Sequence, residues 1–136
     1  MRNRPFLFLL LATALLTAPA AWAQYKPEKV NKKAAQLYSK ALEQAEAEDF
    51  KAGIETLKQA IKADNGFEDA YLSLAGMYGE LKHYQDAIDN YEKAKAIDSN
   101  YFLDYNLPYS INLAGKGDFD KALDAVNRFL TVTNLN

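Results

Sequence analysis

The sequence predicts an all-α fold in which three antiparallel helical hairpins stack side by side. Three segments superimpose on one another: DFKAGIETLKQAIKADN from Asp49, HYQDAIDNYEKAKAIDS from His83 and DFDKALDAVNRFLTVTN from Asp118. Apolar residues recur in each segment at the spacing of one helical face, and no run alternates between apolar and polar residues as a strand would. A repeat of this length is typical of stacked supersecondary units, each of which buries its apolar side against the next.

The repeated segment predicts one amphipathic helix in each copy, the second helix of each hairpin. Its aromatic lead residues are Phe50, Tyr84 and Phe119, which are 34 and 35 residues apart. A small residue follows each lead by three positions: Gly53, Ala87 and Ala122. A small residue at a constant helical position indicates close approach to a neighbouring helix.

A further helical stretch precedes each of these helices and supplies the first helix of each hairpin. The stretches cover about 27–47, 67–81 and 101–115. Turn sequences separate the elements, namely ADNG at 63–66, DSN at 98–100 and GKGD at 115–118. Pro108 lacks a backbone donor, so the third stretch is predicted either to start near Leu107 or to be kinked.

These residues resemble the tetratricopeptide repeat (TPR) family. The middle copy matches the family pattern best, at Tyr71, Leu74, Ala75, Tyr78, Tyr84, Ala87, Tyr91 and Ala94. It departs from the pattern at Lys82, where glycine is usual, and at Ser99, where proline is usual. The resemblance implies a right-handed superhelical stack with repeats over about 34–67, 68–102 and 103–136, after a lead-in at 24–33.

The N-terminus predicts export. The sequence opens with MRNRP, continues into the apolar run FLFLLLATALL, and reaches the small-residue triplet of Ala21, Trp22 and Ala23. This order is typical of a secretory signal peptide over 1–23, cut between Ala23 and Gln24. The apolar run has 11 residues, whereas a bilayer span needs about 20, so we expect no membrane span after cleavage. The expected compartment is the periplasm or cell envelope of a bacterium.

Composition and residue placement argue against several function classes. Cleavage removes two arginines and no acid, which moves the formal net charge from −2 to −4 and disfavours a nucleic-acid partner. Cysteine is absent, which excludes disulfides and thiolate chemistry. The single histidine, His83, lies at a turn between two helices. We expect no cofactor, no metal site and no enzymatic activity.

Two short motifs have ordinary structural explanations. Asp86, Asp89 and Glu92 lie at i, i+3 and i+6 on the polar side of a helix, where exposed charge is the usual pattern. GKGDFD at 115–120 lacks the third glycine of a dinucleotide loop and follows a helix instead of a strand. Its glycines are predicted to end one helix, and Asp118 is predicted to cap the next.

Recognition through a groove is the function that the resemblance implies. In the TPR family the first helices line a concave groove, and the corresponding positions here are Tyr38, Leu42, Asp69, Leu72, Gly76, Glu80, Leu107 and Ile111. This mostly apolar, lightly acidic set suits an amphipathic helix or an extended apolar segment of a protein partner. The alternative is that these side chains pack within the chain or on its tail, QYKPEKV.

Family members that grip a C-terminal carboxylate use Lys and Asn at groove positions. Those positions hold Tyr38, Leu42 and Ser73 here, so a carboxylate clamp is not supported.

A narrower likeness concerns residues 107–130, LPYSINLAGKGDFDKALDAVNRFL. They resemble the TPR segment of bacterial envelope proteins in which propeller-like repeats and an OmpA-like, peptidoglycan-binding domain follow. Only TVTNLN follows Leu130, so we expect either further chain or another molecule, including a second copy, to cover Leu123 and Leu130. The alternative to an interaction scaffold is therefore a structural module of a larger envelope protein.

Overall fold

A computed structural model of the protein describes residues 29–101 and 103–133, and this part of the chain consists of helices joined by short turns, without strands. Six α-helices follow one another in it: α1 Lys32–Glu46, α2 Phe50–Ala63, α3 Glu68–Glu80, α4 Tyr84–Ile97, α5 Asn106–Lys116 and α6 Phe119–Thr133. The predicted all-α fold is confirmed. The proposed signal peptide over 1–23 lies outside the described residues.

Helix α1 begins later than the sequence pattern predicted. The stretch was expected from about residue 27, but Asn31 precedes the first helical residue, Lys32. The Asn31 Oδ1 accepts hydrogen bonds from the backbone N–H groups of Lys33 and Ala34, at 2.9 and 3.4 Å. These bonds satisfy donors that have no partner inside the helix, and they set its start.

The start of α5 resolves the question raised by Pro108. A 3-10 turn over Leu103–Tyr105 leads into the helix, and Pro108 is its third residue. The first four N–H groups of a helix have no intrahelical acceptor, so a proline there removes no helical hydrogen bond. The prediction of a helix that starts near Leu107 is confirmed.

The turn between α5 and α6 uses the residues expected from GKGDFD. Gly117 ends α5 in the left-handed conformation, with φ of +94°, which glycine adopts without steric cost. Asp118 then precedes α6, and its Oδ2 lies 2.9 Å from the Nζ of Lys121. This contact with Lys121 holds the pKa of the Asp118 carboxyl below its usual value.

The hairpins stack through the second helix of one and the first helix of the next. Helices α1 and α2, α3 and α4, and α5 and α6 form the hairpins, while α2 packs on α3 and α4 packs on α5. Leu57 and Phe67 are fully buried between the first two hairpins. Tyr91, Tyr105 and Tyr109 pack together between the last two, with ring centroids 5.6–6.2 Å apart.

Glycines inside the described helices mark points where helices approach closely, except for Gly76. A Cβ atom on Gly53 would lie 2.7 Å from the Met77 Sδ, and one on Gly115 would lie 2.7 Å from ring atoms of Tyr84. A Cβ atom on Gly76 would meet nothing within 4 Å. Gly76 is therefore a helical glycine that no packing contact requires.

This difference predicts opposite effects of the same substitution. Alanine improves helix propensity over glycine by about 1 kcal/mol, so Gly76→Ala should raise the free energy of unfolding. Gly115→Ala gains the same propensity but crowds the Tyr84 ring, and overpacking costs about 1–3 kcal/mol. In urea titration, the free energy of unfolding of Gly115→Ala should be lower than that of Gly76→Ala by about that cost. Equal stabilities would contradict the close packing of α4 on α5.

Candidate binding groove

A groove of about 620 Å³ opens between α1 and α3. Its lining residues come from three successive helices and are mostly apolar: Leu42, Ala45, Glu46, Phe50, Ser73, Gly76, Met77 and Glu80. Met77 and Ser73 are buried, whereas Leu42 and Phe50 are half-buried. The volume falls in the range of about 300–1,000 Å³ that is typical of ligand sites.

The groove exists because the middle repeat has a glycine where its neighbours have large side chains. Gly76 stands 34 residues after Leu42 and 35 before Ile111, so the three share one repeat position. The place that a Cβ atom on Gly76 would occupy is open, and a leucine or isoleucine there would project into this space. The missing side chain leaves the apolar wall of Leu42 and Phe50 uncovered.

The structure brings together three of the residues that the sequence predicted for a groove. Leu42, Gly76 and Glu80 all line it. The sequence reasoning missed Ala45, Glu46, Phe50 and Met77, which the structure adds. The repeat register contains a signal for one of these, because Glu46 stands 34 residues before Glu80 and shares its repeat position.

Tyr38 belongs to the core and not to an open surface. Only 6% of the residue is exposed, and its ring lies 4.9 Å from that of Phe67. Its hydroxyl shares a hydrogen bond of 3.2 Å with the Ser73 Oγ. Tyr38 therefore positions α1 on α3 beside the groove.

Asp69 and Leu72 lie elsewhere on α3. The Tyr101 hydroxyl donates a hydrogen bond of 2.8 Å to the Asp69 Oδ2. Burial raises the pKa of the Asp69 carboxyl, and the Tyr101 hydrogen bond partly opposes that effect. Leu72 is half-buried against the tyrosine cluster of the last two hairpins. Both residues take part in packing between repeats.

Leu107 and Ile111 lie on an exposed apolar face of the third hairpin instead of in the groove. Ile111 is 62% exposed and Leu107 is 41% exposed. On α6, Phe119 and Leu123 are 69% and 61% exposed. Exposed large apolar side chains in this number mark a surface that another element can cover.

The acidic residues in the stretch from Tyr84 are on the surface, as predicted. Asp86, Asp89 and Glu92 are exposed. Asp89 accepts a hydrogen bond from the Gln85 amide at 2.6 Å, and Glu92 accepts one from the Tyr109 hydroxyl. Within residues 29–101 and 103–133, no group of three or more His, Cys, Asp or Glu side chains is arranged to hold a metal ion.

His83 is an exposed side chain at the turn before α4, as predicted. Its ring stacks on that of Tyr78 at a centroid distance of 6.0 Å, and its Nδ1 lies 3.8 Å from the Asp86 Oδ2.

Across the described residues, every helix is too short or too polar to cross a bilayer.

Comparison with solved structures identifies the fold. A structure of the MamA protein matches with a TM-score of 0.68 and 24% identity, over 73% of this chain and 54% of MamA. The first TPR of Spaghetti (RPAP3), bound to the HSP90 peptide SRMEEVD, matches with a TM-score of 0.74 and 18% identity, over 79% of this chain and 85% of that one. The second TPR of the same protein, bound to the same peptide, has a TM-score of 0.70 at 16% identity, over 74% of this chain and 92% of that one.

The chain therefore has the TPR helical-repeat fold, and it spans about half the length of the MamA structure. No protein-family model and no curated protein sequence matches it. At these identities the likeness shows the fold alone.

Proposed function

We propose that this protein is an exported, non-enzymatic scaffold that binds an apolar segment of a partner protein between α1 and α3. The supporting observation is the groove itself, which is large enough for a ligand and lined mainly by apolar side chains. Apolar grooves between helices take up the apolar face of an amphipathic partner helix in several kinds of complex. The fold hosts many functions, so the proposal depends on this site and not on the fold.

The proposed partner differs in charge from the peptide in the RPAP3 structures. That peptide, SRMEEVD, contains three acidic residues. The groove lining here contains Glu46 and Glu80 and no basic side chain. Like charges across an interface disfavour binding, so an acidic peptide is a poor candidate for this groove.

A single substitution at Gly76 tests the groove. Gly76→Gln should place a polar side chain in the groove and weaken binding at least tenfold, without cost to the helix. The probe is a fluorescent peptide of leucine and glutamine, with leucines at the i, i+3, i+4 and i+7 spacing of a helical face. Binding is measured by fluorescence anisotropy.

The matched control is Ala96→Gln, which adds the same side chain at an exposed position of α4. Circular dichroism should show equal helicity in both variants. If the parent protein does not bind the probe, or if Gly76→Gln binds as the parent does, the proposed groove function is wrong.

Export remains a proposal that rests on MRNRP, the apolar run and Ala21-Trp22-Ala23. When the full chain is expressed in a Gram-negative bacterium, we expect the protein in the periplasmic fraction to start at Gln24. Mass spectrometry of the N-terminal peptide checks this start. A chain that keeps Met1 in the cytoplasmic fraction would overturn the proposal.

A second candidate function is a structural module, either of a larger OmpA-like, peptidoglycan-associated envelope protein or of a self-associating assembly. The repeat itself favours it. Ile54, Ile88 and Leu123 share one repeat position. The next hairpin covers Ile54 and Ile88, which are 5% and 8% exposed, whereas Leu123 is 61% exposed. The equivalent face of the last hairpin has no covering element among the described residues.

Self-association through this face is testable in solution. We expect the mature chain to form a dimer that Leu123→Glu converts to a monomer, because burying an unpaired charge in an apolar interface is costly. The control Ala96→Glu adds the same charge at an exposed position of α4, away from this face, and should leave the dimer intact. Sedimentation equilibrium measures the mass. A parent chain that stays monomeric at high concentration would rule out self-association.

A further inference from the structure

We infer that the groove between α1 and α3 selects a partner segment whose apolar side chains are flanked by lysine or arginine. This inference rests on the proposed function and adds the charge of the partner to it. Two features of the groove support it: the carboxylates in its lining, and the helix ends at which those carboxylates stand.

The first feature is the acidic rim of an otherwise apolar site. Glu46 and Glu80 line the groove, and both side chains are exposed. Within the described residues neither carboxylate forms an ion pair, since the bridges there join Lys58 to Glu55, His83 to Asp86, Lys95 to Glu92 and Lys121 to Asp118. The groove therefore presents two uncompensated negative charges beside its apolar floor.

The second feature is the position of these carboxylates on their helices. The C-terminus of a helix carries partial negative charge, so lysine is favourable in the last turn and glutamate is unfavourable. Helices α2, α4 and α5 follow this rule with Lys62, Lys95 and Lys116. Helices α1 and α3 instead end at Glu46 and Glu80, without a basic residue in their last turns.

Helix α6 also has no basic residue in its last turn, but among the six described helices α1 and α3 are the ones that end in glutamate, and these two form the sides of the groove. A partner cation beside Glu46 and Glu80 would be attracted by the carboxylates and by the two helix C-termini together. Such a cation offsets the unfavourable charge arrangement of the free protein. The negative charge of the carboxylates and helix ends also repels acidic segments and anionic lipid surfaces. The groove should therefore prefer cationic partners.

Three peptides with identical leucine positions test this preference. Their flanking residues are all lysine, all glutamine or all glutamate. Because the rim is solvated, we expect a moderate effect, with the lysine peptide bound about tenfold more tightly than the glutamate peptide at low ionic strength. The difference should shrink in about 0.5 M salt, where screening acts within a few ångströms.

Charge reversal at the rim should invert the order of affinities. The double variant Glu46→Lys, Glu80→Lys is expected to prefer the glutamate peptide, and its melting temperature should not fall, because lysine suits both helix ends. The control Asp86→Lys, Asp89→Lys makes the same change in net charge on the exposed side of α4. It should keep the preference for the lysine peptide.

The outcomes separate this inference from the proposed function. Binding of the glutamine peptide with equal affinities for the lysine and glutamate peptides would overturn the inference and leave the groove function standing. If the α4 control also prefers the glutamate peptide, the preference depends on the net charge of the protein and not on the rim, which would also overturn the inference. Failure of all three peptides to bind would overturn both.

Discussion

The whole stack depends on the contact between the second helix of one hairpin and the first helix of the next. At the first junction Gly53 lets α2 approach the Met77 side chain of α3, and at the second Gly115 lets α5 approach the ring of Tyr84. These junctions bury the apolar stripes of α2 and α4, which supplies most of the driving force for stacking. Helices α1 and α3 meet through side chains such as Tyr38 and Ser73, and a groove opens beside this contact where Gly76 leaves space.

The second helices could be predicted from sequence to within a residue of their observed starts, because an aromatic lead and a small residue recur in every copy. The groove was predictable only in part. The repeat register identifies equivalent positions, but whether a position is open depends on side chains from other helices. Tyr38, Leu72 and Leu107 share one repeat position. Phe67 and Ser73 cover the Tyr38 side chain, whereas Leu107 is 41% exposed.

The two ends of the stack differ in polarity. The exposed side of α1 is polar throughout, with Lys32, Lys33, Gln36, Ser39, Lys40 and Glu43. The exposed side of the last hairpin presents Ile111, Phe119 and Leu123. A polar outer face needs no covering element, whereas Leu123 on the second face stands at the repeat position of Ile54 and Ile88, which are buried at the two internal junctions. The proposed self-association would therefore pair the apolar face of one copy with the same face of another about a two-fold axis, and not with the polar outer face of α1.

Local departures from stability rules concentrate at the groove. Glycine inside a helix costs about 1 kcal/mol relative to alanine, and no neighbouring atom lies within 4 Å of the place where a Cβ atom on Gly76 would be. Glutamate at a helix C-terminus is also unfavourable, and both such residues in the described first helices, Glu46 and Glu80, line the same site. Sequences accept local costs of this kind where a functional surface compensates for them. Packing alone would favour a larger side chain at position 76 and lysine at the two helix ends, so the chain is less stable than it could be at the residues that line the groove.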